Sequence, residues 1–175
     1  VIAHWKERFP TFWPKGATFY APLAGISPGE VALLEVPPVP GSPVKMSTGV
    51  MVIYADRESF TFMTPEGHAL AAWITFSAYR DGDEVVAQAQ ALERTSDPLI
   101  ELSYIFGANR ANDGFWEKTL ANLARSLGVA EPVVETIGAA LPEFDHFGRQ
   151  AKPAPVRWQG NQRVPIVFLQ LFESV

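Results

Sequence analysis

The pattern of apolar and polar positions changes rhythm twice along this chain, and the changes divide it into three parts. Between 46 and 94 the rhythm is that of strands, whose successive side chains point to opposite faces. Residues 47–54 form a β-branched, nearly continuous apolar run, which predicts a strand covered on both faces. Asp56-Arg57-Glu58 marks a polar turn, after which Phe60 and Phe62 alternate with Thr61 and Met63. Pro65 and Gly67 supply turn chemistry over 64–68. Leu70, Ala72, Ile74, Phe76 and Ala78 then share one face of a third strand, with Trp73, Thr75, Ser77 and Tyr79 on the other. Arg80-Asp81-Gly82-Asp83 is a hairpin signal that leads into a fourth strand over 84–94. Hairpins joined in this way predict an antiparallel meander.

Beyond the meander the period becomes helical. Asp97 caps and Pro98 opens a helix that ends near Gly107. A second helix starts at Asn112 or Asp113 and aligns Trp116, Leu120, Leu123 and Leu127 on one stripe before Gly128 closes it. Such a helix needs a sheet face to lie across, so the fold class is α+β. The flanking parts follow no single rhythm. Residues 1–45 interleave Trp5, Phe9, Phe12, Trp13, Phe19 and Tyr20 with prolines, which predicts a short first helix, an extended segment at 18–22 and a strand at 30–36. The prolines of 37–43 make a stiff connector. After 129 a short helix is predicted at 133–141 and a linker at 152–155. The apolar run 166–172 must dock on the domain or on a partner. The chain thus divides into an arm (1–45) carrying the first strands of the same domain, a core (46–128) and a C-terminal extension (129–175).

Composition narrows the function classes. With 175 residues and 47% hydrophobic content the chain can bury a core without a staple. It has no cysteine, hence no disulfide and no thiolate chemistry, which is compatible with a cytoplasmic setting. The net charge of −5 and the scattered basic residues lack the footprint of nucleic-acid binding. No apolar run is long enough for a transmembrane segment, and residues 1–8 are too charged for a signal peptide.

The motifs for chemistry are few. Gly25-Ile26-Ser27-Pro28-Gly29 has the spacing of a nucleophile elbow, but Pro28 has no N–H to offer an oxyanion, so the segment reads as a turn. Glu66, His68 and the pair Asp145-His146 are the candidate acid–base or metal groups, without any metal-binding spacing. His68 reads first as a turn residue bonded to nearby backbone, and second as part of a pocket rim. Arg80 and Arg94 sit among acids as a solvated cluster. No phosphate-binding glycine loop occurs, so no nucleotide cofactor is expected, and the missing ligand spacing leaves no metal expected either. The informative pattern is on the fourth strand, where Val85, Ala87, Ala89 and Ala91 share a face. Small side chains facing inward leave volume for a close helix, a bulky aromatic or a ligand.

Three stretches carry a resemblance: 60–68 (FTFMTPEGH), 73–78 (WITFSA) and 86–92 (VAQAQAL), followed by 97–102 (DPLIEL) and Phe115-Trp116. In this order they resemble a bacterial branch of the START-like, or polyketide cyclase-like, superfamily over about residues 44–128, with a looser echo in 12–17 and 20–23. The resemblance implies a helix-grip fold, a curved antiparallel sheet around a long C-terminal helix with a cavity between them. Superfamily members carry lipids, sterols or polyketides, and some are cyclases or hydrolases. The branch has no reaction to transfer, so no catalytic residue carries over. The proline-rich arm and the extension after Gly128 both depart from the family pattern.

The leading expectation is non-catalytic binding of a small hydrophobic ligand between sheet and helix. Its candidate lining residues are Phe60, Phe62, Trp73, Phe76, Ala87, Ala89, Trp116 and Leu120, taken from both faces of the meander because either could be the concave one. Glu66, His68 and Arg80 are candidate rim residues. A second expectation is an interaction subunit, dimeric or bound to another protein through the aromatic arm and the run 166–172. A third is a cyclase or hydrolase acting on a polyketide-like substrate.

Overall fold

The structure, a computed structural model, describes residues 1–37, 42–82, 84–98, 100, 109–140 and 166–172, with the backbone alone for 84, 109, 110, 137–140 and 166–172. The predicted helix from Asp97 to Gly107 lies largely outside the described residues, as do the linker at 152–155, most of the 37–43 connector, Asp145 and His146.

β-Branched and aromatic residues recur from 18 to 95, and the chain there folds as an antiparallel meander in which every strand pairs with the next. Its strands are β1 (Thr18–Tyr20), β2 (Val31–Val36), β3 (Met46–Ala55), β4 (Ser59–Met63), β5 (Leu70–Asp81) and β6 (Glu84–Thr95). The first two come from the arm, so the meander is longer than the part that alternation alone marked out. β5 and β6 form the longest ladder, from Leu70 opposite Thr95 to Asp81 opposite Glu84. Gly82 turns between them at φ +61°.

One expectation for β3 fails. The strand is covered on one face: Val50 and Val52 are buried, whereas Ile53 and Tyr54 are exposed. A bulge between Val52 and Tyr54 adds a residue to this strand against β4, which is why an unbroken apolar run does not mean two covered faces.

The arm supplies the inner layer. α1 (Ile2–Arg8) runs into a 3₁₀ turn (Phe9–Phe12) that Pro10 opens. Ile2, Trp5, Phe9 and Phe12 follow at steps of three and four and are all buried against the meander. Ile2, Trp5, Phe9 and Phe12 are therefore core, whereas Tyr20, Leu23, Val31 and Leu33 of the arm stay exposed. Beside it lies α2 (Asn109–Ser126), whose Leu120, Leu123 and Ala124 join the same core. It starts a turn earlier than the stripe of leucines required. Its end is a Schellman motif: Val129 donates its N–H to Ala124 at 3.1 Å and Gly128 to Arg125 at 3.0 Å, with Gly128 at φ +92°.

The segment predicted as a short helix at 133–141 is instead a strand, β7 (Val134–Ala140). Val133, Val134, Thr136 and Ile137 are β-branched, and pairing with another strand outweighs the weak helical spacing. That other strand is β8 (Ile166–Phe172), the apolar run near the end of the sequence. β8 is inserted between β6 and β7, parallel to both, and completes an 8-stranded sheet in the order β1-β2-β3-β4-β5-β6-β8-β7. The extension is thus part of the same sheet as the core. No helix among the described residues is long and apolar enough to cross a membrane, which says nothing of strands.

Candidate functional site

Register decides which side chains can face α2. Phe62 pairs with Ile74, Phe60 with Phe76, and these continue into Ala91 and Ala89 on β6. Together with Val52, Ala32, Leu34 and Phe19 they make the inner face of the sheet. The centre of that face is filled. Trp5 meets Phe76 and Phe60 edge to face, with centroids 5.2 and 5.8 Å apart, and Phe9 meets Phe19, Phe60, Phe62 and Phe76 at 4.8–5.6 Å. The expected cavity between the meander and α2 is thus occupied by the arm, a bulky aromatic filler that Ala89 and Ala91 leave room for.

Space remains to one side. Where α2 ends and β6 begins, Val1, Val85, Ala87, Leu123, Ala124, Leu127 and Val129 line a partly open cavity of about 230 Å³. The reason is local. Ala87 and Ala124 are small, the aromatic layer stops at Trp5, and the Schellman turn swings Val129 back toward the sheet while it ends the helix. Every lining side chain is aliphatic, so the site offers shape and an apolar surface, and no side-chain acid, base or hydrogen-bond donor.

Polar chemistry gathers elsewhere, toward the start of α2. Glu93 is buried on β6 and accepts a hydrogen bond from Asn112 Nδ2 at 3.1 Å. Glu117 accepts one from the Thr136 hydroxyl at 2.7 Å. Asp113 has one buried carboxylate oxygen with no hydrogen-bond partner among the described residues. Its pKa is raised above the ordinary carboxylate value, first by burial and then by the nearby charge of Glu117. No three acids or histidines among the described residues are placed to hold a metal ion.

Of the eight lining residues expected from the sequence, Ala87 alone borders the cavity. Phe60, Phe62, Phe76, Ala89 and Leu120 are packed core, and Trp116 lies half-buried against it, its ring 5.4 Å from Phe76. Trp73 is on the opposite face of the sheet, half exposed, because it alternates with Ile74 and Ala72. The rim candidates do not converge either. Glu66 is exposed in the β4–β5 turn. His68, in the same turn, sets Nδ1 3.0 Å from the Leu70 N–H and 2.9 Å from the Leu70 carbonyl, accepting from one or donating to the other according to tautomer. Burial pushes its pKa down. Arg80 lies at the other end of β5, exposed and paired in register with Val85, and so stands at the cavity's end of the sheet.

The sequence reading missed Val1, Val85, Leu123, Ala124, Leu127 and Val129. Signals for part of the set were present: Val85 shares a strand face with Ala87, and Leu123 and Leu127 belong to the helical stripe. Setting the last turn of that stripe against the first residues of that face would have located the cavity. Comparison of the chain with protein-family models, curated proteins and solved structures finds no match. The likeness to the START-like superfamily accordingly rests on the sequence phrases alone.

Proposed function

We propose that this chain binds a small apolar ligand without transforming it, in the cavity between the first half of β6 and the last turn of α2. The observation that carries this reading is the cavity itself, about 230 Å³, partly open and lined by aliphatic side chains. Its size bounds the ligand. A buried apolar cavity of ~150 Å³ takes up benzene, and drug-sized ligands occupy ~300 Å³ or more. A short acyl chain, a small isoprenoid or a compact aromatic falls between these limits. The resemblance to the START-like superfamily supports the same reading, as does a helix-grip interpretation of meander and α2, with the arm filling the part of the grip that would otherwise be open. Arg80 at the cavity's end of β5 is then a rim residue facing the polar end of an amphiphile. A cytoplasmic setting belongs to this proposal.

The test is native mass spectrometry on freshly purified protein, followed by denaturing extraction and titration with the fluorophore N-phenyl-1-naphthylamine. A co-purified apolar molecule, or saturable fluorophore binding that Ala124→Leu reduces at least tenfold, is the expected result. A clean apo mass together with fluorophore binding that Ala124→Leu leaves unchanged would remove the cavity from consideration.

A further inference from the structure

The exposed members of the cavity lining mark its mouth. Ala87, Leu123 and Ala124 are buried and form the floor, whereas Val1 is 40% exposed and Leu127 43%. Solvent therefore reaches the cavity between the start of α1 and the end of α2. A side-chain pair crosses that gap: His4 Nε2 lies 3.0 Å from Ser126 Oγ. Both partners belong to the walls, since His4 follows Val1 by three positions and Ser126 immediately precedes Leu127. The proton in this bond can be placed. Ser126 donates its one hydroxyl hydrogen to the Leu123 carbonyl at 2.6 Å, so it accepts from His4, whose Nε2 carries the proton. The Phe12 ring, with its centroid 5.8 Å away, backs the imidazole. Further along the same seam, away from the mouth, Asn122 Nδ2 donates to the Phe12 carbonyl at 3.0 Å.

We infer that the His4–Ser126 bond is the clasp of the cavity's mouth, and that ligand enters and leaves by the parting of the two helix ends it joins. Because a mouth matters only where a ligand is taken up, this rests on the binding proposed above. Both walls are helix termini, the parts of helices that open at the least cost. The first turn of α1 has no capping side chain, for Val1 stands at the cap position and brings no hydrogen-bond acceptor. On the other side, Leu127 lies in the turn that Gly128 reverses. Behind these ends the packing is tight: Trp5, Phe9, Leu120 and Leu123 are fully buried. The floor thus keeps its shape while the ends part. Such a clasp sets rates and not affinity. Affinity belongs to the aliphatic lining, which is the same with or without the bond, and passage in both directions scales with the open fraction. Losing one ordinary hydrogen bond raises that fraction about two- to tenfold.

The experiment is stopped-flow fluorescence with N-phenyl-1-naphthylamine on the full chain, read as association and dissociation rates. Ser126→Ala should raise both rates by about two- to tenfold and leave Kd within about twofold of the native value. Ser126→Thr, which keeps the hydroxyl, should return both rates to native. Because the chain has no cysteine, His4→Cys combined with Ser126→Cys places its only two thiols on the two walls. Bridging them with 1,2-ethanediyl bismethanethiosulfonate should slow both rates about tenfold or more, and dithiothreitol should reverse the effect. Rates left unchanged by Ser126→Ala, or by a bridge that forms, overturn the inference while the ligand cavity stands. So does a Kd that rises with dissociation alone, since Ser126 would then be touching the ligand. Native fluorophore binding that Ala124→Leu leaves unchanged removes the cavity itself, and the clasp with it. If the double-cysteine chain fails to fold, the two Ser126 variants decide on their own.

Discussion

Phe9 shows how much of the interior depends on the arm. Its ring meets Trp13, Phe19, Phe60, Phe62 and Phe76 at centroid distances of 4.8 to 6.2 Å, all edge to face. Such geometry adds to the stabilisation from burial itself. Truncating a buried phenylalanine costs about 3–5 kcal/mol, since the cavity left behind closes only in part. Urea unfolding of Phe9→Ala should show a loss in that range, and a loss below about 1 kcal/mol would contradict the role given to the arm. His68 makes a different kind of prediction. Burial lowers its folded-state pKa from the ordinary 6.5, with the Leu70 carbonyl working weakly the other way. Above pH 6.5 the ring is neutral folded or unfolded and contributes no pH dependence. As the pH falls below that value the unfolded chain takes up a proton that the folded chain resists, so stability declines until the folded pKa is reached. Thermal unfolding from pH 7 to pH 5 should therefore show a smaller acid-induced fall in Tm for His68→Asn than for the native chain. Equal slopes would mean that the ring is not desolvated.

At the scale of elements, the end of α2 is where sequence, packing and the cavity meet. Gly128 holds φ +92°, and no atom lies within 4 Å of where a β-carbon would be, so substitution there is a conformational matter alone. Placing an L-residue in that left-handed conformation costs about 1–2 kcal/mol. Gly128→Ala should lower stability by that amount and weaken fluorophore binding, because Leu127 and Val129 flank the turn and line the cavity. Full stability with normal binding would show that the cap does not set the cavity wall. This cap was readable beforehand, as were the strands from Phe60 to Thr95, because a glycine after a leucine stripe and strict alternation are local signals. The bulge in β3 was not, since nothing near Ile53 announces an extra residue and only the partner strand defines it. β7 was misread for a similar reason. Its identity comes from pairing with β8, some thirty positions along the chain, and the spacing within 133–141 carries no trace of that partner.

For the whole molecule, the sequence reading got the α+β class and the meander and misplaced the cavity. The error has one physical source. Alternation assigns residues to faces but does not say which face an element from far away will cover, and here the filler of the inner face comes from the first twelve residues. Trp73 and Phe76 looked equivalent as pocket aromatics, yet one is half exposed and the other fully buried. The long-range order of the sheet has a further consequence, in the timing of folding. β8 separates β6 from β7, so β7 reaches the rest of the sheet through the next strand in the chain to be made. While the polypeptide emerges from a ribosome, β6 has an unpaired edge of main-chain donors and acceptors until residues up to Phe172 have appeared. Such an edge is a template for pairing with any extended segment nearby. Synthesis of this chain is therefore expected to pass through an adhesive intermediate, with the last parallel insertion as the step that retires it.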